Sequence, residues 1–148
     1  MQTINPDTIE KIGRLIAQTA SALAAVQASK NSGNTVATTT LQGDLQATRD
    51  DYELAISQLD DTQRQWVQTI FADALKLAEQ GKSTAATRAV YLAQIKWADD
   101  QARELETVTD DIKAARKEWT KGALSYEVSA YEIAKLCDRT PSTVQRWT

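Results

Sequence analysis

Ile9, Ile12, Ile16, Ala20, Leu23 and Val26 follow one another at steps of three and four residues, so they share one face of a helix and leave polar side chains on the other. This apolar seam has coiled-coil character. It starts at Asn5-Pro6, where asparagine caps free amides and proline at the first helical position gives up an N–H that has no helical acceptor. It ends near Lys30, at the breaker cluster Asn31-Ser32-Gly33-Asn34. From Thr35 to Gly43 the chain is threonine-rich with little periodicity, which predicts an irregular connection or a frayed helical start, with Asp44 as the cap of the next helix. Leu45, Tyr52, Ile56 and Leu59 predict that second helix up to Asp60-Asp61. Thr62 and the run Trp66, Ile70, Phe71, Ala74 and Leu77 predict a third, closed by Gly81.

With Ser83 as its cap, a fourth stripe runs through Tyr91, Ile95, Ala98, Ala102, Leu105, Val108, Ile112, Ala115 and Trp119 without a breaker. It predicts one helix from about Thr84 to Lys121, about 55 Å long at 1.5 Å per residue. So long a seam needs either the earlier helices laid antiparallel along it or the same helix of a second subunit. A homodimer or higher oligomer formed by residues 1–122 is therefore the expected state.

Gly122 is expected to end that helix. Beyond it, the run Leu124 to Cys137 restarts a short helix in which Ser129 and Glu132 have the spacing of a capping box, Asp138-Arg139 make a turn, and Thr140-Pro141 open a last helix over residues 141–148. Ala134 sits where two such helices would cross. Ile133, Cys137, Val144 and Trp147 are the candidates for a miniature core, which leaves Ser142, Thr143, Gln145 and Arg146 facing outward.

Five glycines and two prolines in 148 residues leave few of the turn signals that a β-rich chain needs. The predicted fold is all-α: a helical bundle or antiparallel coiled coil with a long fourth helix over residues 1–122, followed by a small helix-turn-helix over 123–148. The net charge of −3 conceals an asymmetry. Residues 1–112 hold ten lysines and arginines against sixteen acids, whereas residues 113–148 hold seven against four. The single cysteine, Cys137, excludes an intrachain disulfide, and with no histidine a zinc site of the usual Cys/His type is excluded. Neither a basic leader nor a run of about 18 apolar residues occurs, so a cytoplasmic chain without a membrane partner is expected.

The stretch Tyr131-Glu132-Ile133-Ala134-Lys135-Leu136, followed by Thr140-Pro141-Ser142-Thr143-Val144-Gln145-Arg146-Trp147, resembles the helix-turn-helix of MerR-type regulators, phage excisionases and resolvase-like proteins. Asp138 stands where that pattern has glycine, and aspartate tolerates the left-handed conformation better than most residues. Arg139 stands where the pattern has an aliphatic residue. The β-hairpin wing of MerR-type domains does not occur within these residues.

The resemblance implies a bacterial, phage or plasmid-type protein that binds double-stranded DNA as a transcriptional regulator or an organiser of a nucleoprotein complex. The last helix would enter the major groove, with Gln145 bidentate to adenine and Arg146 on guanine or a phosphate. Ser142 and Thr143 would touch phosphates or base edges, and Lys121, Lys135 and Arg139 the backbone. Two copies on a two-fold or repeated site would raise the affinity of so small a unit.

The acidic N-terminal region supports another reading, a protein-binding inhibitor or DNA mimic acting through the bundle; a third, a small phage packaging-complex subunit that forms a ring and holds DNA, would be marked by a closed oligomer larger than a dimer. No Gly-rich phosphate loop or nucleophile–base pair is present, so neither an enzyme nor a cofactor is expected. Trp66, Tyr91 and Trp119, with Trp97 beside their stripe, read as core. Cys137 reads as a small buried hydrophobe. The pairs Asp50-Asp51, Asp60-Asp61, Asp99-Asp100 and Asp110-Asp111 read as solvated faces and caps.

Overall fold

The computed structural model describes residues 4–104 and 110–148, and among them the regular structure is entirely helical. The helices are α1 (Pro6–Ser32), α2 (Thr35–Ser57), α3 (Asp61–Ile70), α4 (Ala72–Glu79), α5 (Ser83–Glu104), α6 (Asp110–Ser125), α7 (Ala130–Cys137) and α8 (Pro141–Gln145). None of the described helices is long and apolar enough to cross a membrane.

The first helix begins as its sequence predicts, with the Asn5 side chain accepting the Asp7 N–H at 2.8 Å ahead of Pro6. The next segment does not. Residues 35–43 are the start of α2, capped by Asn34, which accepts the Ala37 N–H at 3.1 Å, and Asp44 lies inside the helix. The threonines are accommodated because their hydroxyls find acceptors one turn back: Thr38 on Asn34, Thr39 on Thr35 and Thr48 on Asp44, at 2.8–3.0 Å. Antiparallel packing on α1, with Ser29 and Thr38 hydroxyls 2.7 Å apart, then outweighs the weak intrinsic propensity.

Asp60 and Gln63 form a reciprocal capping box, so α3 starts at Asp61. The expected third helix is divided at the fully buried Phe71, where α4 begins. Ser83 is the first residue of α5, and its hydroxyl meets that of Ser21 at 2.6 Å instead of capping.

The largest departure concerns the fourth stripe. It is not one helix but two, α5 and α6, which lie antiparallel: Trp97 packs beside Trp119, and Arg88 donates to the Tyr126 carbonyl at 2.7 Å. The apolar seam closes on itself, so the two halves bury each other and the length that called for a second subunit is taken up within the chain. Leu105 and Val108, placed on that stripe, lie outside the described residues. Gly122 does not end α6, which continues to Ser125; a Cβ on Gly122 would stand 2.4 Å from a ring carbon of Tyr91.

Helix α5 is the centre of the molecule, touching α1, α3, α4, α6 and α7. Its Trp97 is 1 % exposed, with the rings of Trp66 and Trp119 at 6.4 and 6.2 Å. On the α1 side, a Cβ on Gly13 would stand 2.8 Å from Val90 Cγ1 and 2.1 Å from Gln94 Oε1, so α1 and α5 approach closely there and a larger residue would displace both side chains. One continuous apolar core runs from Ile4 through α1 and α5 to Ile133, Cys137, Val144 and Trp147. The C-terminal helix pair thus shares the core of the bundle, in place of the boundary expected at residue 122.

Candidate functional site

The C-terminal pair is built from local signals. The Ser129 hydroxyl accepts the Glu132 N–H at 3.0 Å and starts α7. Glu132 lines a groove together with Asp73, Lys76, Lys82 and Arg88. Asp138 closes α7 in the left-handed region, with φ 53 and ψ 51, and the Arg139 N–H returns to the Ala134 carbonyl at 2.8 Å. Thr140 then accepts the Thr143 N–H at 3.3 Å, and Pro141 opens α8. Regular helix stops at Gln145, short of the expected 148, and the chain continues as a turn in which the Trp147 N–H reaches the Val144 carbonyl at 2.9 Å.

Packing divides α8 as its sequence predicts. Val144 and Trp147 are buried together with Ile133, Ala134 and Cys137. Ser142, Gln145 and Arg146 are exposed, and Thr143 is half-buried. The Arg146 guanidinium leans along its own helix, 3.4 Å from the Thr143 hydroxyl. Lys135 is exposed on α7, and Lys121 is exposed on α6 with its ammonium 3.6 Å from Glu118.

Arg139 behaves differently from the expected backbone contact. It turns toward Asp99, with Nη2 3.1 Å from Oδ1 and Nε 3.3 Å from Oδ2. Asp99 is completely buried, not solvated as its pairing with Asp100 suggested, and two more guanidinium groups reach it, those of Arg103 and Arg116, each at 3.4 Å. Arg103 also donates to the carbonyls of Cys137 and Asp138. The Arg116 guanidinium lies 4.2 Å over the centre of the Trp147 ring, a cation–π contact. One carboxylate on α5 therefore joins α5, α6, the turn after α7 and, through Arg116, the end of α8.

The electrostatics follow from these contacts. Burial lowers the Arg116 pKa against the opposing pull of Asp99, whereas the hydrogen bond to Asp99 raises that of Arg139. The Cys137 thiol is pushed up to about 11, first by burial and then by Asp99, so it remains a protonated packing group. Glu127 pairs with Arg88 at 3.5 Å, and Glu132 faces the same α5 flank. Asp138 stays in the turn. Residues 141–148 themselves carry no acid.

Asp99, Arg103 and Arg116 are not singled out by their sequence pattern. The one signal in the chain is an aspartate directly after the apolar pair Trp97-Ala98, with arginine four residues later. The chain matches no family model, no curated protein and no solved structure.

Proposed function

We propose that this protein binds double-stranded DNA, with α7, the Asp138–Thr140 turn and α8 acting as a helix-turn-helix whose second helix faces the major groove. The observation that carries the reading is the division of residues 141–148, α8 and the turn after it: Val144 and Trp147 anchored in the core, and an acid-free outer row of Ser142, Gln145 and Arg146. In this reading Gln145 reads adenine and Arg146 guanine or a phosphate, while Ser142 and Thr143 touch phosphates or base edges. Lys135 and Lys121 hold the backbone. Arg139 acts indirectly, by fixing the turn on Asp99. Binding as two copies on a two-fold or repeated site, in a regulator or a nucleoprotein organiser, suits so small a contact.

The test is a mobility shift of the full chain on a duplex library across a salt series, with Arg146→Ala and Gln145→Ala alongside. Saturable enrichment of one sequence, relaxed at one base position by each variant with a loss of about 1–3 kcal/mol, is the expected result. No retardation at low salt refutes the reading.

One observation favours a protein partner instead. A groove between the start of α1 and α6 is lined by Asp7, Glu10, Asp111 and Glu118 over Ile112 and Trp119, with no cation among its described lining residues. Its occupant would be a lysine- and arginine-rich amphipathic helix, and titration with such a peptide by calorimetry separates this reading from the first.

A further inference from the structure

Asp110 apart, helix α6 keeps its acids and its lysines on different sides of its core line, and Arg116, on the lysine side, reaches Trp147 at the end of α8. Ile112, Trp119 and Ala123 point into the core. At 3.6 residues per turn, Asp111, Ala114, Ala115 and Glu118 fall on one side of that core line, and they line the groove shared with α1. Arg116 falls on the other side, where its guanidinium covers Trp147. Next to Arg116, and further from the core, come Lys113, Lys117 and Lys121. All three are exposed and four residues apart, so they occupy successive turns of one face and span about 12 Å along the axis.

From this arrangement we infer that the Lys113–Lys117–Lys121 row is a second nucleic-acid contact, which tracks the sugar–phosphate backbone of the duplex that α8 reads. The inference rests on the DNA-binding reading and extends its single α6 contact, Lys121, to a row of three along that helix. Arg116, with Arg103 and Arg139 about it, bridges the two parts: three guanidinium groups share the single carboxylate of Asp99, and the Arg103 and Arg139 side chains are 39 % and 34 % exposed. Two carboxylates lie by the row: Asp110, which shares its face one turn before Lys113, and Glu118, which pairs with Lys121. Lys113 and Lys117 make no ion pair among the described residues. Ammonium groups on flexible stems suit phosphates as point charges and carry no base preference, so the row contributes affinity while α8 contributes sequence.

The experiment compares the full chain, Lys113→Gln/Lys117→Gln/Lys121→Gln, the single Lys117→Glu, and Lys30→Gln at the far end of α1, by fluorescence anisotropy on a labelled duplex from 50 to 200 mM salt. Thermal melts by circular dichroism verify the fold of each. Three phosphate contacts predict that the triple variant loses about 2.7 from the slope of log K against log salt, so that raising the salt weakens the wild-type chain about 40-fold more than the variant. The rank order of duplex sequences stays the same. Lys117→Glu lowers the slope by about 1 or more, and Lys30→Gln leaves it unchanged. A wild-type slope in the triple variant and in Lys117→Glu, with wild-type protein still bound to duplex, overturns the lysine row, the Lys121 backbone contact included, and leaves the base reading by the C-terminal helix standing. Absence of duplex binding by the wild-type chain at 50 mM salt overturns both.

Discussion

Asp99→Asn keeps the shape of the buried side chain and removes the charge that three guanidinium groups share. At about 4 Å separation and an effective dielectric near 20, each such pair is worth about 4 kcal/mol of direct attraction, opposed by the several kcal/mol needed to strip each ion of water. Removing one partner of a buried pair leaves the other uncompensated, at a typical cost of about 3–5 kcal/mol. Asp99 is fully buried, but the Arg103 and Arg139 side chains are 39 % and 34 % exposed and regain water once released. The lower end, about 3 kcal/mol, is therefore expected, which for a chain of this size lowers the melting temperature by roughly 6–12 °C.

Urea unfolding monitored by circular dichroism measures the total loss. Amide exchange at Ile133 and Val144 shows whether the C-terminal pair is loosened first. A double-mutant cycle with Arg139→Ala isolates that pair, whose coupling should be about 1 kcal/mol or more. A loss under about 1 kcal/mol, with exchange at Ile133 and Val144 unchanged, would show that the arginine cluster does not hold the helix pair in place.

Three further outcomes test other parts of the structure. The Cys137 thiol, pushed up to about 11 from an ordinary 9.0, should alkylate at pH 8 far more slowly in the native than in the urea-unfolded chain; equal rates would contradict its burial. Because the folded state holds that proton more tightly, the contribution is complete below pH 9 and declines as the pH rises toward 11, by on the order of 2–3 kcal/mol in an alkaline stability titration. Gly43→Ala, with nothing within 4 Å, should gain about 1 kcal/mol from helix propensity, whereas Gly122→Ala, with its Cβ 2.4 Å from the Tyr91 ring, should lose about 1 kcal/mol or more; thermal melts that rank them the other way would refute the close approach of α5 and α6. Glu127 adopts φ 64 after α6, so Glu127→Gly should stabilise by about 0.5–1 kcal/mol despite losing the exposed pair with Arg88, and a destabilised variant would mean that the ion pair outweighs the backbone strain.

Local rules are legible wherever the chain itself carries the partner. Asn5-Pro6, Ser129 and Thr140-Pro141 all start helices with groups two or three residues away, and aspartate at 138 takes the left-handed turn; the box of Asp60 with Gln63 follows the same rule but is hidden where Asp60-Asp61 reads as a helix end. The inward set Ile133, Ala134, Cys137, Val144 and Trp147 is equally legible, because a two-helix crossing fixes it from spacing alone. Long-range choices are hidden. A periodic stripe reads the same whether its two halves continue in line or fold onto each other, and from Ser83 to Lys121 the sequence has neither glycine nor proline to signal the choice. The threonine run looks irregular because the carbonyls that accept its hydroxyls are in place only once the helix has formed. Asp99 escapes notice because its partners lie 4, 17 and 40 residues away in the chain.

The shared core also determines how this protein can change. Residues 123–148 do not form a cassette that could be cut out and joined to another body, since the floor under α7 is α5 and the lid over Trp147 is Arg116 of α6. A recombination event at residue 122 would leave both pieces with uncovered apolar faces. Change is accommodated more easily in the outer row. Ser142, Gln145 and Arg146 are exposed and can be exchanged while Val144 and Trp147 keep their seats, so, if the proposed DNA-binding reading holds, single substitutions there would alter base preference on an unchanging frame.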